Sequence, residues 1–308
     1  MSSMHEYLDA LRAQLGSADP ALAQDALYDA EEFLQAAVAE SPGDPEALAR
    51  AIEAYGTPEE VANAYRDTER TVAEALRRPA PPPGRSPLAR FFGVVADPGA
   101  YAALFYMFLA LASGAAYFTL AVAGLSLSLG LAVLVVGVPV ALLFIGVVRA
   151  VSLTEGRVVE GLLGMRMPRR PRVVPHNGNI GDRLKSWFTD YRTWTTLLYM
   201  VLQLPLGIAY FTAVVTALAT SVWLVAAPVV QLVTGQPVVR TLDAAYYVAP
   251  WFMPIVMAGG ALLCVLTLHA AKLIGRAHAA YAKVMLVGRP VEGAPEATTA
   301  AVPYGTAV

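Results

Sequence analysis

The chain has 308 residues, of which 56% are hydrophobic and only 15% are charged, and its mean hydropathy is +0.52. Soluble domains are about 45–50% hydrophobic and about 25% charged, and one cysteine, Cys264, cannot form an intramolecular disulfide. This composition excludes a single soluble globule, a disordered chain and a disulfide scaffold. The charge is uneven, because residues 1–70 carry 15 acidic and only four Lys or Arg side chains.

Residues 4–66 predict four short helices with clear start signals. Asp19-Pro20 and Asp44-Pro45 each combine a side chain that caps free amides with a proline suited to the first helical position. Thr57-Pro58-Glu59-Glu60 opens the last helix as a capping box, with glutamate three residues after the threonine. The spacing of apolar residues predicts an inner face for the second helix, made of Leu22, Ala26, Ala30, Phe33 and Ala37.

The acidic side chains of this head allow two interpretations. They form either a solvated face that keeps a small bundle soluble, or a docking surface for a basic partner, where charge aids orientation and association. Direct nucleic-acid binding is disfavoured because a strongly negative head would repel phosphate. The candidate docking residues are Glu31, Glu32, Glu59 and Glu60.

Three segments of the head resemble the HAAS-type signalling module: Tyr7–Arg12, Asp25–Glu32 and Tyr55–Ala62. The resemblance implies a short helical domain over residues 1–70 at the cytosolic end of a bacterial membrane protein. It also implies a PadR-like transcriptional regulator as a partner, since such regulators are often encoded beside this module. A linker over 71–90, rich in proline and arginine, would hold the domain away from the membrane.

Four hydrophobic runs are long enough for membrane-spanning helices, at about 100–123, 128–149, 195–218 and 251–271. Each lacks charged residues away from its ends, and an internally hydrogen-bonded helix is the stable form for such a segment in lipid. Lys and Arg cluster in 149–192 and after the last run, which predicts that this loop and both termini are cytosolic. We therefore expect a multi-pass protein of the bacterial cytoplasmic membrane.

The four predicted spans form two related pairs. An offset of 93 residues places Tyr106 on Tyr199 and Tyr117 on Tyr210. Later matches need a larger offset, so the second copy carries an insertion between residues 230 and 254. Because each copy has an even number of spans, we expect both copies to share one orientation, as a parallel repeat about a twofold along the membrane normal.

This duplicated unit, over 91–289, is similar to the "Putative sensor" membrane domain found mainly in actinobacterial proteins. The resemblance depends on the aromatic entry Asp190–Trp194, on the Val136–Pro139 turn with its counterpart Ala226–Pro228, and on a Gly-Arg helix after each second span. Such domains often precede a histidine kinase, which is the second partner that the resemblance implies. No segment of kinase length follows here, and the tail 290–308 is expected to be disordered.

The insertion is the only predicted outer segment that is long enough to do more than turn. Its candidate sensing residues pair two charges with two tyrosines: Arg240, Asp243, Tyr246 and Tyr247. We expect this loop, about 231–250, to receive the stimulus together with the cleft between the repeats. The Gly-Arg helices at 155–164 and 274–287 would then pass a shift to the head.

The sequence contains no catalytic, cofactor-binding or metal-binding pattern, such as a Gly-rich phosphate loop, HExxH or GxSxG. The histidines lack acidic partners at metal or triad spacing, and we expect His269 and His278 to be structural residues near the interface. The predicted spans hold no ionisable residue, which disfavours an ion or proton transporter. Interfacial anchoring, rather than ligand binding, is predicted for Tyr101, Tyr106, Trp187, Trp194, Tyr199 and Trp251.

Glycine and proline predict how the spans pack. Close helix approach is expected at Gly114, Gly207, Gly259 and Gly260. Kinks or interruptions are expected at Pro139, Pro205, Pro228 and Pro254.

These expectations define an all-α fold, with a cytosolic helical bundle followed by a four-helix transmembrane domain. We expect a non-enzymatic signalling protein that couples a membrane or extracytoplasmic stimulus to a cytosolic regulator or kinase. The alternative is a small membrane module or subunit that transports lipid or apolar solutes, and a structural membrane adaptor is a third class. The lipid bilayer and a second copy of the chain are further expected partners, whereas no cofactor is expected.

Overall fold

A computed structural model describes residues 3–75, 86–131, 137–171 and 190–287. The chain divides into two compact units. The first comprises residues 1–78, 168–175 and 288–308, and the second comprises 79–167 and 176–287. The tail 290–308, residues 76–85 of the Pro/Arg-rich linker, His176 and Trp187 lie outside the described residues.

Residues 3–75 of the first unit form four helices joined by short turns. Its helices are α1 (Met4–Gln14), α2 (Pro20–Glu40), α3 (Ala47–Tyr55) and α4 (Pro58–Ala75). Asp19 caps α2 by accepting the Ala21 N–H at 2.9 Å, as its sequence predicts. At the start of α4, the Thr57 N–H donates to the Glu60 carboxylate at 2.9 Å and the Glu60 N–H donates back to the Thr57 hydroxyl at 3.3 Å. This reciprocal pair is the predicted capping box.

Two details of this unit differ from the predicted pattern. Helix α3 begins at Ala47, because Asp44 accepts the Glu46 N–H and so closes a turn before the helix. Phe33 is 41% exposed and lies against the Tyr55 ring at 4.8 Å, whereas the next residue, Leu34, is fully buried. The buried core consists mainly of Tyr7, Leu11, Leu15, Ala26, Ala30, Leu34 and Ala62.

The second unit contains four helices, among the described residues, that are long and apolar enough to cross a membrane. They are α6 (Pro98–Gly130), α7 (Gly137–Leu163), α8 (Tyr191–Thr234) and α9 (Met253–Leu286), and the short α5 (Pro87–Phe92) precedes them. Each helix continues beyond the predicted span, because helical hydrogen bonding does not stop where apolar composition stops. Residues 128–130 therefore end α6, although the sequence predicted that they begin the second span.

Glycine permits a close contact between α6 and α8. A Cβ atom on Gly114 would lie 2.9 Å from the Leu204 Cα, and one on Gly207 would lie 2.9 Å from the Leu111 Cα. The two contacts are equivalent under the repeat, because each glycine lies against the residue that precedes its counterpart by three positions. As the contact moves toward the C-terminus of α6, from Leu111 to Gly114, it moves toward the N-terminus of α8, from Gly207 to Leu204. Gly260 is equally enclosed, by Ser221 and Leu224 of α8, whereas a Cβ on Gly259 would meet nothing within 4 Å. The predicted packing role is thus right for three of the four glycines.

The prolines interrupt the helices less than predicted. Pro139 and Pro254 lie in the first turns of α7 and α9, where a missing N–H costs nothing. Pro205 and Pro228 lie inside α8, which continues for 44 residues. Ala226–Pro228 is therefore part of a helix, and the prediction of a turn there is wrong.

A small hairpin joins α8 and α9. Its strands are β1 (Val239–Arg240) and β2 (Ala245–Tyr246), paired antiparallel with Arg240 opposite Ala245. All four strand residues are exposed. The insertion in the second copy thus contains an exposed hairpin.

Candidate functional site

A buried carboxylate lies among the four long helices of the second unit. Glu155 of α7 is only 1% exposed. Its Oε1 accepts hydrogen bonds from the hydroxyls of Tyr106 at 2.7 Å and Tyr199 at 2.8 Å, and its Oε2 accepts from Tyr117 at 2.9 Å. Three phenolic donors therefore replace the water that this carboxylate would otherwise need.

His278 of α9 completes the cluster. Its Nε2 lies 2.6 Å from the Tyr106 hydroxyl and 3.2 Å from that of Tyr199, and its Nδ1 lies 3.2 Å from the Tyr210 hydroxyl. Because Tyr106 and Tyr199 donate their protons to Glu155, their oxygens can accept from a protonated Nε2. Nδ1 is then the acceptor for the Tyr210 proton, so a neutral imidazole satisfies every bond.

The cluster follows the internal repeat. Tyr106 and Tyr199 occupy equivalent positions in the two copies and meet at its centre, while their counterparts Tyr117 and Tyr210 bind the carboxylate and the imidazole respectively. Gln203 also donates to the Tyr106 hydroxyl, at 3.2 Å. All four long helices supply a member, so a change in this network would alter how they pack.

Two polar atoms at the edge of the cluster have no hydrogen-bond partner among the described residues. They are the side-chain oxygen of Gln203 and the hydroxyl of Tyr281, whose ring stacks on that of Tyr199 at 5.5 Å. Buried polar groups are normally paired, so these atoms offer an acceptor and a hydroxyl to a water or to a polar ligand.

The structure corrects two predictions about these residues. Tyr106 and Tyr199 are buried, at 1% and 0% exposure, instead of anchoring the interface, and His278 lies inside the helix cluster. Glu155 lies after the predicted second span, 128–149, but it is still part of α7, which continues past the end of that span. The internal repeat is the sequence signal that could have indicated the cluster. Both copies keep their two tyrosines at equivalent positions, as hydroxyls with a shared partner would require.

The other predicted anchors behave differently. Tyr101, Trp194 and Trp251 are 49%, 47% and 77% exposed. His269 stacks on the Phe91 ring and its Nε2 lies 2.9 Å from the Phe91 carbonyl oxygen. These side chains therefore lie outside the buried cluster.

An apolar cavity of about 190 Å³ lies in the second unit. Its wall comes from the end of α6, the first half of α7 and the start of α8, and includes Leu125, Phe144, Val148 and Leu197. Ser128 also lines it; this side chain is 8% exposed, and its hydroxyl has no partner in the described part of the chain. The cavity therefore has mainly apolar walls and an unpartnered hydroxyl at Ser128.

The predicted sensing residues all lie on the exposed hairpin segment. Arg240 is in β1, Tyr246 is in β2, Asp243 is in the turn between them and Tyr247 follows β2. Tyr246 and Tyr247 are 58% and 60% exposed. The four residues thus lie within eight consecutive positions of the chain, 240–247, on one hairpin segment.

The predicted docking carboxylates do not share one environment. Glu31 is buried and accepts a hydrogen bond from Gln35 at 3.0 Å, while Glu32 and Glu59 are exposed. Glu60 is held by the capping box, and hydrogen bonds from the Thr57 N–H and hydroxyl lower its pKa. The four predicted docking residues therefore lie on two helices, α2 and α4, in different environments.

A different acidic face of α2 holds a basic segment of the first unit. Asp25, which is 6% exposed, accepts the N–H groups of Arg169 and Arg170, both at 2.8 Å. One turn later, Asp29 pairs with the Arg170 Nε at 2.9 Å. Gln24 donates to the Arg170 carbonyl at 2.8 Å. The sequence offered no clue to this contact, because 144 residues separate the partners.

Comparisons with known proteins identify two family matches. A family model described as "Putative sensor" matches residues 106–286, and the HAAS model matches residues 6–64. No significant match was found among curated proteins or solved structures. The first match covers more than half of the chain and includes every member of the buried cluster. The chain therefore belongs to the "Putative sensor" family and has a HAAS module before its sensor domain.

Proposed function

We propose that this protein is a non-enzymatic membrane sensor that passes a membrane or extracytoplasmic stimulus to a cytosolic regulatory partner through its HAAS module. The sensor and HAAS matches support a signalling role. The buried Glu155–tyrosine–His278 cluster is the observation on which the proposal rests. Burying an ionisable side chain costs free energy unless it is fully hydrogen-bonded, so this network favours one arrangement of the helices around it.

The cluster suggests how a stimulus could be transmitted. Glu155 has three tyrosine partners on two other helices. His278 joins the hydroxyls of Tyr106 and Tyr199 to that of Tyr210. A shift of one helix must break or exchange these bonds, because buried polar groups cannot remain unpaired without a large cost. The helices would thus have two discrete arrangements, which is what a switch needs.

The test is a cellular one. Wild-type protein, Glu155→Gln and a deletion of residues 236–246 are expressed at matched levels, and transcripts of the adjacent regulatory genes are measured. We expect Glu155→Gln to lock the output in one state and the deletion to abolish the response to the stimulus. Tyr191→Phe, on a 77% exposed side chain, is the matched control. If both changes leave the output unchanged, the proposal is wrong.

The proposed topology places the 149–192 loop and the C-terminus in the cytosol, because Lys and Arg concentrate in these segments. The HAAS module is then also cytosolic, because two spans separate it from that loop. Four passes of a bacterial cytoplasmic membrane then put the hairpin on the outer side. Topology reporters fused at residues 60 and 245 should report opposite sides. If both reporters are on the same side, the two helix pairs have an inverted arrangement instead. The glycine contacts run in opposite directions along α6 and α8, so this arrangement is the first point to test.

A transport function for lipid or apolar solutes is the second candidate, and the apolar cavity favours it. Under this proposal the protein would co-purify with an ATPase subunit, whereas the sensor would co-purify with a regulator or kinase through residues 1–70. Affinity purification of the full chain from its native membrane distinguishes the two.

A further inference from the structure

The acidic face of α2 has the geometry of a peptide-binding site. Asp25 Oδ1 accepts two successive backbone N–H groups, from Arg169 and Arg170, which requires the bent backbone that the structure has at that point. Gln24 binds the carbonyl of the same Arg170. Three main-chain contacts from two side chains fix the path of the bound segment without regard to its sequence.

Selection of arginine comes from the side chains one turn further along. The Arg170 guanidinium pairs with Asp29 at 2.9 Å and lies 5.7 Å from the centroid of the Tyr28 ring. A carboxylate beside an aromatic face suits the planar guanidinium better than an ammonium group. The Tyr65 hydroxyl donates to the other oxygen of Asp29 at 2.8 Å and so holds the carboxylate in place.

The bound segment is covalently close to the membrane helices. Only residues 164–167 separate Leu163, the end of α7, from Pro168. Glu155, at the centre of the buried cluster, lies on the same helix. A displacement of α7 would therefore pull on the segment that α2 holds.

We infer that the Gln24–Asp29 face of α2 is a binding site for a bent, arginine-containing peptide segment, occupied by the chain's own Arg169–Arg170 and opened to a basic segment of the regulatory partner when these residues leave. The inference rests on the proposed function, since it names the site through which the HAAS module would act. A site occupied by a segment of its own chain faces an effective competitor concentration in the millimolar range. The partner would thus bind weakly until the segment is displaced.

The experiment uses the full chain in lipid nanodiscs and a fluorescent peptide with the sequence of residues 165–171. Replacing Arg169 and Arg170 by proline in the protein vacates the site, because it removes both N–H groups that Asp25 accepts and the guanidinium that pairs with Asp29. We expect this vacated protein to bind the peptide at least tenfold more tightly than wild type, measured by fluorescence anisotropy. A peptide with Arg169 and Arg170 replaced by alanine should bind at least tenfold more weakly.

Further changes in the vacated protein test the face itself. Asp25→Ala removes the acceptor of the two main-chain N–H groups. Asp29→Asn removes the charge but keeps an oxygen that accepts from Tyr65. Asp29→Asn therefore serves as the test if Asp25→Ala does not fold. Each should weaken peptide binding about tenfold or more, since hydrogen bonds to charged groups are the strong ones. Glu32→Gln, an exposed carboxylate on the same helix, should leave the affinity unchanged.

Equal peptide affinity in the wild-type and vacated proteins would overturn the inference, as would affinity that is insensitive to Asp25 and Asp29. Neither result bears on the cellular test of sensing, which measures output and not peptide binding. Conversely, failure of the sensing test would leave the peptide measurement standing. The two proposals can therefore fail separately.

Discussion

Glu155 relies on tyrosine hydroxyls for its solvation, and its oxygens accept three of them at 2.7–2.9 Å. Tyr199→Phe should therefore destabilise the protein by about 1.5–3 kcal/mol, because it removes a hydrogen bond to a charged group without leaving space for water. Tyr191→Phe, on an exposed side chain, should change stability by less than about 0.5 kcal/mol. Thermal unfolding of the purified proteins in one detergent checks both values. Equal melting temperatures for all three proteins would mean that the cluster does not stabilise the fold.

The capping box of α4 gives a pH dependence with a defined sign. Hydrogen bonds from the Thr57 backbone and hydroxyl lower the pKa of Glu60 below its ordinary value of 4.5. The contribution of the ionised carboxylate is therefore complete above the unfolded pKa and is lost as the pH falls through the folded one. Hydrogen exchange in the first turn of α4 should be slower in wild type than in Glu60→Gln at pH 7. This difference should shrink below pH 4.5, whereas a constant difference would contradict the assignment.

The contact between α6 and α8 depends on two glycines with no room for a side chain. Gly114→Ala and Gly207→Ala should each force the helices apart and destabilise the protein by about 1–3 kcal/mol. Gly146→Ala in α7 is the matched control, because a Cβ there meets nothing within 4 Å and alanine favours a helix. The measurement is again the melting temperature. A loss at Gly146 as large as that at Gly114 would indicate a general intolerance of helix substitutions.

Local rules of helix formation were sufficient to predict the elements of this fold, but not their contacts. Asp19 and the Thr57–Glu60 pair cap their helices as expected, because capping involves residues two or three positions apart. Contacts across long separations were missed. Glu155 was assigned outside the spans because hydropathy ends before the helix does, and the contact of Asp25 with Arg169 crosses 144 residues.

At the scale of the whole molecule, the two family matches and the candidate sites follow the same division of the chain. The HAAS match includes the acidic face of α2, and the sensor match includes the buried cluster and the cavity wall. The repeat alignment placed the tyrosines of the two copies in register, because duplication leaves equivalent residues in both copies, but it did not predict that Tyr106 and Tyr199 meet. It could not predict Glu155 or His278, since each comes from one copy and has no polar equivalent in the other.

The apolar cavity provides the last prediction, because a molecule that binds there should stabilise the whole chain. An apolar cavity of about 150 Å³ can hold a benzene ring, so the present one, at about 190 Å³, has room for a short alkyl chain with its hydroxyl near Ser128. A ligand at tenfold excess over its dissociation constant adds about 1.4 kcal/mol to the free energy of unfolding. We expect 1-hexanol to raise the melting temperature of wild type in nanodiscs, relative to Ala141→Phe, in which the new ring fills the cavity. Leu143→Phe, on a 71% exposed side chain of the same helix, should respond like wild type. Equal shifts for wild type and Ala141→Phe would mean that the alcohol acts through the bilayer and not through the cavity.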